Sequence, residues 1–104
     1  MKQLQQGDVL MFRVESLPSD AVAVTPTERG NVLADGEHTG HAHVVPEEHA
    51  TLSRSGNRLF LNVKEPTQVT HEEHKPINLE PGLWEIGIVQ EYDYLSQMAR
   101  PVID

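Results

Sequence analysis

The chain has 104 residues, enough for a single domain and too few for two independent cores. Its 16 acidic and 8 basic residues give a formal net charge of −8, a surface that repels phosphate and argues against nucleic acid as a partner. Cysteine is absent, so disulfides, thiolate zinc sites, iron–sulfur clusters and a thiol nucleophile are excluded together.

From the start, Met1 and Lys2 lead into polar residues through Asp8, with no apolar signal segment. No later stretch approaches the roughly 20 apolar residues of a membrane helix, and a cytoplasmic protein is expected. Seven Gly and seven Pro break the chain into short runs rich in Val, Ile, Leu and Phe. This punctuation predicts an all-β fold, a small single-domain antiparallel barrel or sandwich over residues 1–104. The predicted strands are Asp8–Glu15, Ala21–Thr25, Val32–Ala34, Gly40–Val45, Ala50–Arg54, Arg58–Lys64, Thr67–His71 and Leu83–Glu91. A short helix is expected only at the end, over Tyr92–Arg100, where Tyr94, Leu95 and Met98 have helical spacing and Pro101 stops it.

The strongest hairpin signal is Thr51–Arg54, then Ser55-Gly56-Asn57, then Arg58–Val63, because Gly and Asn accept the positive φ of a tight connection. In its second arm the period of two puts Leu59, Leu61 and Val63 on the core face and Arg58, Phe60, Asn62 and Lys64 on the other. After the Pro81-Gly82 turn, Trp84, Ile86, Ile88 and Gln90 form the more deeply buried face of the last strand.

All six histidines fall between residues 38 and 74. On a strand over Gly40–Val45, His41 and His43 project from one face about 6.5–7 Å apart. Two imidazoles so placed can converge on one ion, since metal–nitrogen bonds are about 2.0–2.1 Å. His71 and His74 form a second pair in a polar turn that Pro76 ends; a turn of helix would also bring them to one side. His41, His43, His71 and His74 are therefore the candidate metal ligands, for zinc, iron, nickel or copper, with Glu47, Glu72 and Glu73 available to complete or orient the sphere. The competing use is structural: a buried histidine hydrogen-bonding backbone carbonyls between strands. His49, beside Glu47 and Glu48, is set aside.

Two resemblances add to this reading. Gly36, His41, His43 and Glu47 are similar to the first motif of the cupin barrel with one residue missing, and Glu80-Pro81-Gly82 to the turn of its second, where Glu85 stands at the third histidine position. A longer resemblance covers nearly the whole chain. The blocks Gln6–Leu10, Leu33–His43, His71–Ile77, Leu79–Gly82 and Gln90–Asp93 resemble an uncharacterised family of small proteins in bacterial and phage genomes, with the patterns GExTGHxH and HEEHxPIxLxPG. The chain departs from it at His38, where the family has an aliphatic residue, and at Glu91, where it has an arginine. The resemblance implies no activity.

Ser53, Ser55 and Ser96 sit in no nucleophile context, and no glycine-rich phosphate loop is present. No catalytic residue is assigned. The favoured reading is a non-catalytic histidine-rich domain that binds a divalent metal in a structural or binding role. The alternative is a phage-head decoration protein, self-assembling or seated on a capsid and located on the virion, suggested by the phage resemblance and the acidic charge. The third is a cupin-like metal-dependent enzyme, in which His41 and His43 hold a metal-activated water and Glu72 or Glu73 acts as base.

Overall fold

A computed structural model describes residues 3–36 and 38–89, and all its regular structure is β. In chain order the strands are β1 (Gln3–Gln6), β2 (Val9–Arg13), β3 (Val22–Ala23), β4 (Asn31–Asp35), β5 (Ala42–Val45), β6 (Ala50–Ser55), β7 (Arg58–Val63), β8 (Thr67–His71), β9 (His74–Leu79) and β10 (Gly82–Ile88). They form two antiparallel sheets, one ordered β1-β2-β10-β7-β6-β3 and the other β4-β5-β8-β9. Neither sheet closes on itself. Of the two expected architectures, the sandwich-like one is found and the barrel is not. Among the described residues, no helix is long and apolar enough to cross a membrane.

The core follows from the period-two alternation of each strand. The larger sheet contributes Val9, Met11, Ala50, Leu52, Leu61, Val63, Trp84 and Ile86, and the smaller one Leu33, Val45, Val69 and Leu79. Register places Ile86 opposite Met11 and Trp84 opposite Leu61, so the largest side chains meet on the inner face. Trp84 is fully buried, and its indole N–H donates to the carbonyl of Glu80 at 3.0 Å, so the ring's one donor is met. The hairpin at 50–63 forms with Gly56 and Asn57 as its two-residue loop. Leu59, Leu61 and Val63 face the core, as their spacing predicts. Phe60 projects the other way and is nevertheless buried. The Arg58 guanidinium covers its ring at 5.0 Å and is held there by two hydrogen bonds to Glu85, of 3.0 and 3.1 Å.

Two strands were not expected. β1 is the polar run Gln-Leu-Gln-Gln and β9 contains Pro76; each lies at the edge of its sheet, where a one-sided ladder tolerates both. The strand expected at 21–25 shortens to two residues, and β5 begins at Ala42, two residues later than Gly40. In β10 Trp84 and Ile86 are buried but Ile88 is exposed. The helix expected over Tyr92–Arg100, and residues 90 and 91 of the last predicted strand, lie outside the described residues.

Candidate functional site: a histidine cleft where three turns meet

Three connections converge at one end of the sandwich. The first is the two-residue turn Gly7-Asp8 between β1 and β2, fixed by pairing of Gln6 with Val9. The second is the loop from Gly36 into β5, closed by bonds from Gly36 N–H to the His41 carbonyl (2.9 Å) and from Gly40 N–H to the Gly36 carbonyl (3.1 Å). The third is the two-residue turn Glu72-Glu73, across which His71 and His74 are direct partners in the β8–β9 ladder. The i, i+3 spacing is therefore resolved by a hairpin instead of a helical turn, and cross-strand partners share a face.

The connections enclose a cleft of about 630 Å³ lined by His41, His43, His71 and His74 together with Asp8 and Glu73. All four expected histidines thus come into one cavity. Ring centroids lie 5.5 Å apart for His41 and His71, 4.4 Å for His43 and His71, 4.6 Å for His71 and His74, and 5.8 Å for His43 and His74. Two imidazoles on one tetrahedral ion hold their centroids roughly 5 Å apart, given metal–nitrogen bonds of about 2.1 Å. The observed separations bracket that value. Among the described residues, the ligand atoms that lie within 4.8 Å of one another are those of His41, His71 and Glu72; His43 and His74 are not in that set, and Glu72 stands outside the cleft lining.

The histidines differ in environment. His43 is buried, and its Nδ1 lies 2.8 Å from Oε1 of buried Gln6. Its Nε2 stands 3.6 Å from Asp8 Oδ1, beyond a good hydrogen bond. Two ligands of a tetrahedral ion stand roughly 3.4 Å apart. Burial, and then the neighbouring His71, push the His43 pKa below its ordinary 6.5 against the opposing pull of Asp8. The ring is held neutral, the form that binds metals. His41 is half-buried, with Nδ1 3.7 Å from Glu73 Oε1, while His74 is exposed and lies against Gly7. His71 accepts the Glu73 backbone N–H at Nδ1, at 3.0 Å.

Glu72 braces the rim. One carboxylate oxygen accepts the Ala42 N–H at 3.0 Å and the other the Arg29 guanidinium at 2.6 Å; Arg29 also donates to the Gly40 carbonyl at 2.9 Å. The Ala42 N–H and Glu72's own backbone N–H, helped by Arg29 and His41, hold this carboxyl below its ordinary range.

The remaining sequence candidates lie elsewhere. His38 is exposed and does not line the cleft. His49 and Glu47 line a separate cleft of about 770 Å³, where His49 Nδ1 lies 2.8 Å from the Thr67 hydroxyl. Glu85 is engaged by Arg58. The cupin-like set, which needs Glu47 or Glu85 beside His41 and His43, is not assembled. Asp8 and Gln6 are the participants that histidine spacing did not reveal. The sequence signal nearest to them was the Gln6–Leu10 block of the resemblance.

Fold and site together define a small all-β sandwich domain with a histidine- and carboxylate-lined cleft at one end. Residues 5–89 match the model of a domain family of unknown function, DUF8820, and the chain belongs to that family. No curated protein and no solved structure matches the chain.

Proposed function

We propose that this domain binds a divalent transition-metal ion in the histidine cleft and that the ion serves a structural or binding role. The observation that carries this is the convergence of four imidazoles and the carboxylates of Asp8 and Glu73, from three segments remote in sequence, into one cavity. Imidazole and carboxylate without thiolate suit zinc, iron or nickel. Asp8 lies in the turn between β1 and β2 of the larger sheet and His43, His71 and His74 belong to the smaller, so one ion would tie both sheets of a small domain together.

The test is elemental analysis of protein purified without a histidine tag, with zinc titration of the chelated form. About one ion per chain is expected; less than about 0.2, with a melting temperature unmoved by chelator, overturns the reading.

A further inference from the structure

Gln6 is 2% exposed and sits where the two sheets meet. Its Nε2 donates to two backbone carbonyls of the smaller sheet, Val69 at 3.0 Å and Lys75 at 2.9 Å. A carbonyl oxygen only accepts, so the group facing both must be the NH₂ end of the amide. That fixes which way the amide points. The atom left facing His43 Nδ1, at 2.8 Å, is then Oε1, itself only an acceptor. The short contact requires a proton on Nδ1. In a neutral ring this leaves Nε2 bare, with its lone pair on the side of Asp8, 3.6 Å away.

We infer that Gln6 is a positioning residue: it locks His43 in the Nδ1–H tautomer, so that the most buried imidazole of the cluster presents an unprotonated Nε2 to the cleft. His71 is set the opposite way. Its Nδ1 accepts a backbone N–H from Glu73, so when neutral it carries its proton on Nε2. The cluster therefore contains one imidazole whose lone pair, on Nε2, is open to a cation and one whose lone pair, on Nδ1, is already taken by a backbone N–H. A partner that fixes the tautomer and orientation of a ligating histidine typically changes metal affinity 10–100-fold when removed. The tautomer assignment stands on the hydrogen bonds alone, and its consequence for affinity rests on the metal-binding reading.

The experiment uses the full chain, uniformly ¹⁵N-labelled and chelated, with long-range ¹H–¹⁵N spectra of the imidazoles at about pH 8, where histidine is neutral. His43 is expected as the Nδ1–H tautomer, with His71 as the Nε2–H tautomer in the same spectrum. Finding His43 as Nε2–H in the wild-type protein overturns the inference without reference to any variant. Gln6→Leu should release His43 from Nδ1–H and weaken zinc binding 10–100-fold. An unchanged His43 signal in Q6L, or a changed tautomer in Q6L with unchanged zinc affinity, would each contradict the positioning role. If the wild-type tautomer is as stated but zinc does not bind, the metal reading fails and the tautomer lock stands.

Discussion

Gly7 lies so close to His74 that a Cβ built on it would stand 2.7 Å from Nε2 of the imidazole. At φ +59° its backbone is also in the left-handed region. Gly56 shares that conformation, at φ +61°, but has nothing within 4 Å of the corresponding position. The pair separates backbone strain from contact. Gly56→Ala should cost about 1 kcal/mol from the left-handed conformation alone and leave zinc affinity unchanged. Gly7→Ala should cost a similar amount, because the crowded atom is the tip of an exposed side chain that can swing aside, but should weaken zinc binding, because His74 must move. Equal zinc isotherms for the two variants would show that the Gly7–His74 contact has no such consequence.

Metal should stabilise the fold in proportion to its concentration. Zinc at a hundred times its Kd adds about 2.7 kcal/mol, a rise in melting temperature of roughly 10 °C or more for a domain of this size. His43→Gln and Asp8→Asn should each abolish most of that rise, whereas His38→Gln, outside the cleft, should not. Thermal scans with and without chelator measure it.

The chelated protein should lose stability on mild acidification. The His43 pKa is depressed in the fold by burial and by His71 and His74, with Asp8 pulling the other way. In the interval between the folded value and the unfolded value near 6.5, the unfolded chain binds more protons at this ring, so stability rises with pH. The contribution is complete above about pH 6.5 and is lost as pH falls through the folded pKa. Urea midpoints from about pH 8 down to pH 5 should show this slope, and His43→Gln should flatten it. A midpoint that climbs on acidification across that interval would contradict the sign.

Trp84→Ala removes the largest fully buried side chain and should cost about 3–5 kcal/mol. Trp84→Phe keeps most of the volume but loses the indole hydrogen bond to the Glu80 carbonyl, and should cost less than Trp84→Ala. Chemical denaturation gives both values.

What could be read from the residues depended on whether neighbours in sequence are neighbours in space. The hairpin around Gly56-Asn57 and the inward face of Leu59, Leu61 and Val63 were legible because local periodicity and turn chemistry decide them. So was the convergence of His71 and His74, though through a hairpin instead of a helical turn. β1 was not legible: Gln3–Gln6 has no apolar alternation, and Gln6 is buried only because Val69, Lys75 and His43, all distant in the chain, meet its amide. β9 was hidden by Pro76, which reads as a stop and is tolerated at an edge. Asp8 read as the first residue of the strand Asp8–Glu15; it lies instead in the turn between β1 and β2, 3.6 Å from His43.

The three turns that frame the cleft are separated by roughly thirty residues each and become neighbours only through ladders that join distant parts of the chain, such as β10 with β2 and β5 with β8. Pairings of that kind close late, because loop-closure entropy is lost before they are rewarded. The cleft is thus expected to form late in folding. An ion bound there would meet a nearly finished sandwich, leaving the folding rate almost unchanged and slowing the unfolding rate. Metal would act as a latch on escape from the native state, and stopped-flow unfolding after chelation is where its presence should register most strongly.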